Sequence, residues 1–443
     1  MKVLLVNPAW PSGRPGTRRY RRAWPPLDLL TAASALRAAG HEPVLIDARA
    51  VRTRLPDLVE AVRRADLTVL QSTPLDRWQC PDLNWRALVR LVRWLRVKPL
   101  ALAGAHGTLE PELMLRMTEA AALIRGEPET ALTALASAGG DPRGLKGLSY
   151  LESGRIVHEP RDLGTPLDDL PPPAYDLIHP DHYAYEVLGP RLAVLETSRG
   201  CPYSCSFCLK AMYGPGVRYK SLERVLDEVE SVVGAWGAKN IYFMDLEFTL
   251  DRERTMALCR GLRDSALDFR WCCQTRVDTV DPELLQSMKR SGCALIHFGI
   301  ETASERLLRT TRKNVTPDQM RRAMAWCREI GLATACFFLF GLPGETPADR
   351  RSATLLARDL NPDFVSFHVA APYPETDLGR LAASVNPFPA CLAGEHDLRT
   401  LARAVRRAYL SFYLRPAYIR SRMMETGWRG QLDRLGLLWE FLR

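Results

Sequence analysis

Three cysteines, Cys201, Cys205 and Cys208, lie within eight residues of one another in the segment ETSRGCPYSCSFCLKAMYG. A structural metal site usually closes its coordination with four protein ligands. No further cysteine or histidine occurs before Cys259, so a zinc site has no obvious fourth ligand. Three thiolates can instead hold three irons of a [4Fe–4S] cluster and leave the fourth iron open to a non-protein ligand. The spacing therefore favours an iron–sulfur site over a zinc site.

Two other interpretations of the trio remain. A disulfide would leave one cysteine over, and three unrelated core thiols would need no ligand, although Gly200 and Pro202 place the segment on a loop. The other eight of the 11 cysteines are scattered, mostly in apolar stretches, which is typical of free thiols in a reducing compartment. The apolar run at residues 3–6 is too short for a signal peptide. These features predict a cytoplasmic protein.

Positive charge is concentrated in two segments of a chain whose net charge is +9. Residues 11–23 carry five arginines and no acid, and residues 401–443 carry nine arginines against three acids. Such segments can be solvated surface, or they can attract phosphates, anionic substrates or an acidic membrane. No nucleic-acid-binding motif accompanies them, so nucleic acid is not expected as a partner.

Residues 1–135 alternate short apolar strands with helical patterns. This alternation predicts a doubly wound parallel sheet, whose ligands bind beyond the carboxyl ends of the strands. The candidate binding residues in those loops are Thr73, Gly104, His106 and Gly126. No G-x-G-x-x-G segment follows the first strand, which argues against a dinucleotide site.

A second α/β series begins after a proline-rich stretch. Residues 136–190 are predicted to be a linker with a small hairpin, because prolines exclude a regular helix or a central strand. Residues 191–370 contain six strand patterns separated by helical patterns, which predict a partial (βα)6 barrel of the TIM type. Residues 371–443 are predicted to form a helical C-terminal region. The three cysteines follow the first barrel strand, at the end where barrel active sites lie.

The C-x3-C-x2-C segment, with Phe207 before its last cysteine, resembles that of the radical S-adenosylmethionine (SAM) enzymes. The resemblance implies that Cys201, Cys205 and Cys208 bind a [4Fe–4S] cluster, with Phe207 beside the cofactors. It also implies that the amine and carboxylate of SAM occupy the open iron. An electron from the cluster would then cleave the sulfonium and give a 5′-deoxyadenosyl radical.

Later segments extend the resemblance to the following strands. IYFMDLEFTL is similar to a family motif that usually has F-x-D-D-x-F, but Leu246 replaces the second aspartate here. Asp245 and Glu247 are therefore candidates for the SAM amine or the substrate. WCCQTRVD and HFGIET supply Arg276 and Glu301 as further candidate contacts. Structural ion pairs at the barrel mouth are the alternative for these last two residues.

The front half resembles the cobalamin-binding domain that precedes many such barrels. The D-x-H-x-x-G cobalamin motif is missing, so no histidine of that motif can be the lower cobalt ligand. His106 is a candidate from its loop, with an ordinary loop contact as the alternative. The domain as a whole could also have lost the cofactor and merely cover the barrel.

The segment RAYLSFYLRPAYIRSR resembles the end of a subgroup that includes anaerobic magnesium-protoporphyrin ester cyclases and hopanoid-modifying enzymes. Those enzymes act on tetrapyrroles or lipids. The arginines and aromatic residues of this segment could dock on a membrane surface, and an amphipathic helix packed on the barrel is the alternative.

The resemblance implies a cobalamin-dependent radical SAM enzyme that methylates an unactivated carbon of a lipid, tetrapyrrole or other secondary metabolite. It also implies a small-molecule substrate and an electron donor such as flavodoxin or ferredoxin. One alternative keeps cobalamin but forms or oxidises a ring. A methylthiotransferase is disfavoured, because the front domain has no second cysteine trio. A hypothesis of another class is a non-catalytic iron–sulfur or zinc protein that binds a partner through its basic tail.

Overall fold

The computed structural model describes residues 1–9, 23–51, 53, 55–95, 97, 99–162, 164–382 and 386–420. Residues 11–22 of the first basic segment and residues 421–443 of the second lie outside these ranges. The end of the proposed membrane-docking segment, at residues 421–422, is therefore not described either.

In the described part of the chain, seven strands form the first sheet in the order β2-β1-β3-β4-β5-β6-β7. Strands β1 to β5 run parallel to one another. Strand β6 runs antiparallel to both of its neighbours, β5 and β7. Strands β3, β4 and β5 are wholly buried, as expected for a parallel sheet with helices on both faces. The strand bounds are β1 Lys2–Asn7, β2 Glu42–Asp47, β3 Leu67–Gln71, β4 Leu100–Ala103, β5 Ala122–Ile124, β6 Leu148–Glu152 and β7 Arg155–His158.

The strand order reverses between β1 and β3, because β2 lies on one side of β1 and β3 on the other. In doubly wound sheets this reversal opens a crevice at the carboxyl ends of the two strands, where ligands bind. Here Asn7 ends β1 and Gln71 ends β3. The helices of this half are α1 Leu27–Ala38, α2 Leu55–Arg63, α3 Trp85–Leu95, α4 Ala105–Leu109, α5 Pro111–Thr118 and α6 Glu129–Ser137.

Residues 136–190, predicted to be a linker, form one hairpin that joins the first sheet and a second hairpin just before the barrel. Strands β6 and β7 form the predicted hairpin, and Leu148 and Ser149 pair with β5, so the first sheet extends to His158. The pairing satisfies a strand edge that would otherwise be exposed. A second hairpin, β8 Ala184–Tyr185 and β9 Gly189–Pro190, lies just before the barrel. The predicted domain boundaries themselves stay a prediction.

The second sheet has six parallel strands in sequential order, β10-β13-β14-β15-β16-β17, within the described residues. Between β10 and β13, the short strands β11 and β12 pair antiparallel with each other. The bounds are β10 Leu192–Leu195, β11 Ser198–Gly200, β12 Val217–Tyr219, β13 Asn240–Phe243, β14 Arg270–Thr275, β15 Cys293–Glu301, β16 Ala333–Phe340 and β17 Phe364–Val369. The sequential order is that of a partial (βα)6 barrel.

The helices that alternate with these strands begin at well-defined caps. Asp251, Asp281, Thr316 and Thr346 each accept a hydrogen bond from the backbone N–H three residues later. Such caps satisfy donors that the first helical turn leaves open. The helix bounds are α7 Leu222–Glu230, α8 Arg252–Asp264, α9 Pro282–Arg290, α10 Glu305–Thr310, α11 Pro317–Ile330, α12 Pro347–Leu360, α13 Asp377–Arg380 and α14 Leu398–Tyr413.

The two halves share one continuous hydrophobic core. Tyr175 joins them directly, because its hydroxyl donates to the Val194 carbonyl at 2.6 Å and accepts from the Val194 N–H at 2.8 Å. The predicted fold class, a doubly wound sheet followed by a partial barrel and C-terminal helices, is confirmed. Among the helices the structure describes, none has the length and apolar character needed to cross a bilayer.

Candidate active site at the barrel mouth

The cysteine-bearing loop is the connection between β11 and β12. Gly200 ends β11 with φ of +97°, and a Cβ atom there would lie 2.1 Å from the carbonyl oxygen of Gly216. Only glycine permits both this backbone conformation and this approach. The ends of the loop are therefore held together by strand pairing before any ligand binds.

Neighbouring elements hold the middle of the loop by its backbone. The Ser206 N–H donates to the Thr311 carbonyl at 2.9 Å, and the Leu378 N–H donates to the Ser206 carbonyl at 3.0 Å. The Lys210 ammonium donates to the Cys201 carbonyl at 3.1 Å. The loop is thus fixed between the end of α10, the start of α13 and its own lysine.

The three cysteine side chains are free thiols and partly exposed. Burial raises the pKa of Cys208 to about 12 and also raises the pKa of Cys201. Over the residues the structure describes, no three Cys, His, Asp or Glu side chains are grouped as ligands of one metal ion. Thiolates of a four-iron cluster bind different irons and need no such grouping.

Arg276 connects the cysteine loop to one other predicted site residue, Glu247. Its guanidinium lies 4.0 Å from the Cys205 sulfur and 3.9 Å from the centre of the Tyr203 ring. Asp278 accepts two hydrogen bonds from it at 2.8 Å. The Arg276 backbone N–H donates to Glu247 Oε1 at 3.0 Å. Arg276 thus has both the structural ion pair considered from the sequence and a position beside the cysteines.

Glu301 lies at the end of β15 in a conformation that few non-glycine residues adopt, with φ of +66°. Its Oε1 atom accepts from the Lys313 ammonium at 3.2 Å. A Cβ atom on Gly299 would lie 2.5 Å from that oxygen and 2.7 Å from the Lys313 nitrogen, so the glycine leaves room for the pair. Burial opposes the charge on Lys313, but Glu301 and Cys205 outweigh it and raise the lysine's pKa. Backbone strain of this kind is often found at functional sites.

Asp245 and Phe207 have mainly local contacts. Asp245 is buried, and its carboxylate accepts from the Thr197 N–H at 2.8 Å and from the Thr197 and Ser198 hydroxyls at 2.6 Å each. It therefore fixes the turn between β10 and β11. Phe207 packs against a small apolar cluster that includes Leu342. Direct cofactor contacts of these two residues stay predictions.

A buried arginine precedes the cysteines and joins the two halves. Arg199 donates from Nε to Glu196 at 2.9 Å, from Nη1 to Glu127 at 2.7 Å and from Nη2 to Glu129 at 2.7 Å. Its side chain is 1% exposed. Burial raises the pKa of Glu196 to about 7, whereas for Glu129 the guanidinium outweighs burial and lowers the pKa. We name Arg199 with its three glutamates the arginine cluster.

At the carboxyl edge of the first sheet, three predicted residues contact one another. A Cβ atom on Gly104, where φ is +103°, would lie 2.7 Å from the Thr73 nitrogen. The Thr73 hydroxyl lies 3.1 Å from His106 Nδ1, and His106 Nε2 lies 2.7 Å from the Asp82 carbonyl. Because the carbonyl can only accept, Nε2 donates and Nδ1 accepts. His106 is buried with both nitrogens engaged, which favours the loop-contact alternative.

Three side chains at the carboxyl ends of β1 and β3 contain polar atoms that the protein leaves unsatisfied, and among them the Ser72 hydroxyl lies on the side of Gly104, after β4. Asn7 Oδ1, Gln71 Oε1 and Ser72 Oγ are buried without a hydrogen-bond partner. Leaving such atoms unpaired costs about 1–3 kcal/mol each. Burial also raises the pKa of nearby Asp28 to about 8. This crevice therefore has the unsatisfied polar atoms expected where a polar ligand binds.

Gly126, the fourth predicted residue of this edge, lies apart from the crevice. A Cβ atom there would meet Arg161 Nη2 at 2.6 Å, and that nitrogen donates to the Ala211 carbonyl of the cysteine loop at 2.5 Å. Gly126 thus makes room for a contact between the two halves.

Several residues of the site were not predicted from the sequence. They are Arg199, Glu129, Glu196, Lys313, Asp278, Asp28 and Gln71. Asn7 and Ser72 lie in loops that the sequence predicts at the ligand-binding edge of the first sheet. Arg199 lies directly before Gly200 and Cys201, at a strand end that is otherwise uncharged. This position is the signal by which the sequence could have indicated it. Glu196 lies only three residues before Arg199, but Glu127 and Glu129 lie 72 and 70 residues away along the chain, so no local pattern could have found these two.

The family described as the radical SAM superfamily matches residues 195–357. An uncharacterized methyltransferase of Pyrococcus horikoshii is 31% identical, over 94% of this chain and 93% of that protein. The anaerobic magnesium-protoporphyrin IX monomethyl ester cyclase of Rubrivivax gelatinosus is 27% identical, over 85% of this chain and 69% of that protein.

Among solved structures, a cobalamin-dependent SAM radical enzyme, OxsB, with aqua-cobalamin and SAM bound, has the same fold. The TM-score is 0.74 and the identity 16%, over 98% of this chain and 72% of that chain. The fold and the matched segment define a radical enzyme. The chain belongs to the radical SAM superfamily, and with it to the enzymes that use a [4Fe–4S] cluster and SAM.

Replacing Arg199 with lysine should strongly destabilise the protein. A lysine nitrogen cannot reach three glutamates that surround a planar guanidinium, and breaking a buried ion pair costs about 3–5 kcal/mol. Urea unfolding of the apoprotein measures the loss. The matched control is Arg143→Lys, whose pair with Asp141 is exposed, so the midpoint of urea unfolding should hardly change. Equal effects of the two substitutions would contradict the assigned role of the arginine cluster.

Asp28 should make the stability of the protein depend on pH. Its pKa of about 8 in the folded state exceeds that of an unfolded aspartate, so the folded protein keeps a proton that the unfolded chain releases. Its contribution to stability should therefore fall between about pH 4 and pH 8, by at most about 1.4 kcal/mol per unit. Urea unfolding at several pH values should show this fall in the wild type and in Asp268→Asn, a control whose side chain is 99% exposed. The fall should be smaller in Asp28→Asn, and an unchanged slope there would refute the assignment.

Proposed function

We propose that this protein is a cobalamin-dependent radical SAM enzyme that methylates an unactivated carbon of a small molecule. The observation that carries the proposal is the packing of the cysteine loop against the carboxyl edge of the first sheet. Arg161 reaches the Ala211 carbonyl at 2.5 Å, and the rings of Trp78 and Tyr213 meet edge to face at 5.3 Å. The iron–sulfur site and the crevice proposed for the second cofactor would therefore both lie where the cysteine loop contacts the first sheet.

In this proposal Cys201, Cys205 and Cys208 hold the cluster, since three soft thiolates are suitable donors for iron. When bound, the cluster and SAM supply a 5′-deoxyadenosyl radical, and cobalamin supplies a methyl carrier. Arg276 places a positive charge beside Cys205, where it would face a negatively charged cluster. Lys313 orients Glu301, which remains the candidate contact for SAM.

The crevice between β1 and β3 is the proposed cobalamin site. The periphery of a corrin carries amide groups, which can both donate to and accept from the unsatisfied atoms of Asn7, Gln71 and Ser72. His106 is not proposed as a cobalt ligand, because both of its ring nitrogens are already engaged. The cobalamin carried by OxsB, which has the same fold, supports this proposal. The methyltransferase from Pyrococcus horikoshii supports methyl transfer.

A second candidate function keeps both cofactors but forms or oxidises a ring. It is favoured by the 27% identity with the Rubrivivax gelatinosus cyclase, which extends over 85% of this chain. The two candidates differ in outcome, because only the first consumes a methyl group.

Partners and location are further parts of the proposal. A flavodoxin or ferredoxin would deliver the electron near Cys205, which is partly exposed beside the Arg312 backbone. The 11 cysteines are all free thiols, which suits the cytoplasm. Peripheral membrane contact would use the segment at residues 407–422, in which Arg407 and Arg420 are exposed.

Replacing Cys205 with alanine should abolish both the cluster and SAM cleavage, because two thiolates hold a four-iron cluster poorly. Anaerobic reconstitution, iron and sulfide analysis, and 5′-deoxyadenosine release after reduction measure the two effects. Cys80→Ala, at an exposed cysteine outside the loop, should behave like the wild type. An intact cluster in Cys205→Ala would refute the ligand assignment. A wild-type protein that releases no 5′-deoxyadenosine with any candidate substrate would refute the proposed reaction.

Replacing Ser72 with alanine should separate cobalamin binding from folding. The substitution removes a buried hydroxyl that has no partner, so the apoprotein should unfold at the same or a higher urea concentration. Retention of hydroxocobalamin through gel filtration should weaken, because the hydroxyl no longer meets the ligand. Ser352→Ala, on the exposed face of α12, should leave both measurements unchanged. A wild-type protein that loses all the added pigment would remove cobalamin from the proposal.

A further inference from the structure

The interior of the barrel is lined by side chains that alternate with those facing the helices. On the helix side, the rings of Phe338 and Phe367 stack at 5.2 Å, and Phe367 meets Tyr409 of α14 at 5.4 Å. Successive side chains of a strand point to opposite faces. Phe337 and His368, the neighbours of these two phenylalanines, therefore face the interior.

Four rings follow one another across this interior face. The centres of Tyr242 and His297 are 5.3 Å apart, those of His297 and Phe337 are 5.7 Å apart with planes within 9°, and those of Phe337 and His368 are 6.0 Å apart. We call these four side chains the ring row. Tyr242 and His297 are buried, whereas Phe337 and His368 keep part of their surface uncovered. The row is therefore anchored at one end and accessible at the other.

The buried end of the row is fixed by hydrogen bonds and packing. His297 Nδ1 lies 3.1 Å from the Cys273 carbonyl, and Nε2 lies 2.9 Å from the Tyr185 hydroxyl. Nδ1 must donate to the carbonyl, and because burial keeps the imidazole uncharged, Nε2 accepts from the tyrosine. Burial lowers the pKa of His297 to about 4, which keeps it neutral at physiological pH. Trp24 packs against Tyr242 at 5.0 Å and closes this end.

The ring row lies next to the candidate SAM contacts. Phe337 is in register with Gly299, two residues after His297 on the neighbouring strand. Gly299 is also the residue whose missing side chain makes room for the Glu301–Lys313 pair. The accessible rings therefore border the part of the mouth where the radical would form.

We propose that the ring row is a wall of the substrate pocket and that the substrate presents a flat, conjugated ring system to it. The inference deepens the proposed function and rests on it. The partly uncovered rings of Phe337 and His368, whose planes differ by 49°, can meet another π system by offset stacking or edge to face, which attracts it beyond the effect of burying apolar area. A saturated molecule of similar size would gain only the burial.

The test compares binding of a flat and a saturated probe to the reconstituted, SAM-loaded protein by calorimetry. The flat probe is 1-pyrenemethanol and the saturated probe is cyclododecanol. Phe337→Leu removes a ring but keeps an apolar side chain. It should weaken binding of pyrenemethanol about three- to tenfold and change binding of cyclododecanol by less than about twofold. His368→Leu should act in the same direction.

Phe338→Leu is the matched control, since it removes the adjacent ring on the helix side of the same strand. It should leave the affinities for both probes unchanged. Equal weakening of both probes by Phe337→Leu would overturn the conjugated substrate class, and no weakening of either would overturn the pocket itself. Failure of the wild type to bind either probe would also overturn it. Binding is measured without turnover, so the two proposals can fail separately. A protein that binds pyrenemethanol but releases no 5′-deoxyadenosine would refute the proposed reaction, whereas the proposed substrate pocket would still stand.

Discussion

The hydrogen bonds from Arg199 to three glutamates are the interaction on which the arrangement of the site depends. One planar guanidinium meets carboxylates from the first sheet's side, Glu127 and Glu129, and from the barrel's side, Glu196. Taking such charges out of water is costly, so the cluster is stable only if each donor keeps its partner. Because Arg199 lies two residues before Cys201, the same contacts fix where the cysteine loop begins relative to the first sheet. These hydrogen bonds thereby add a directional constraint on the separation between the two proposed cofactor sites to the less directional packing of the shared core.

Glycines determine the rest of the site as much as charged residues do. Gly200 lets the two ends of the cysteine loop meet, Gly104 brings the loops after β3 and β4 together, and Gly299 makes room for the Glu301–Lys313 pair. In each place a methyl group would collide with backbone or with a buried charged atom. The candidate site residues can therefore take up their positions only because these neighbouring residues are glycines.

The sequence was sufficient to predict most of the fold and the part of the site that lies in short segments. Alternating apolar runs predicted both sheets, and the spacing of Cys201, Cys205 and Cys208 predicted their common loop. Arg276, Glu247 and Glu301 are indeed brought to the same mouth. The hairpin that extends the first sheet was predicted, but its pairing with β5 was not, because that pairing joins segments whose register depends on the folded edge. The arginine cluster and the ring row were missed for the same reason: their members are scattered along the chain and meet only through topology.

The pairing of β11 with β12 has a consequence for the life of the protein in the presence of oxygen. A ligand loop that is disordered without metal must lose conformational entropy each time the metal is inserted. Here strand pairing and the contacts with α10 and α13 fix the ends and the middle of the loop through contacts made within the protein. Part of that entropic cost is therefore met by folding itself. Loss of an oxidised cluster should then leave a folded acceptor rather than an unfolded chain.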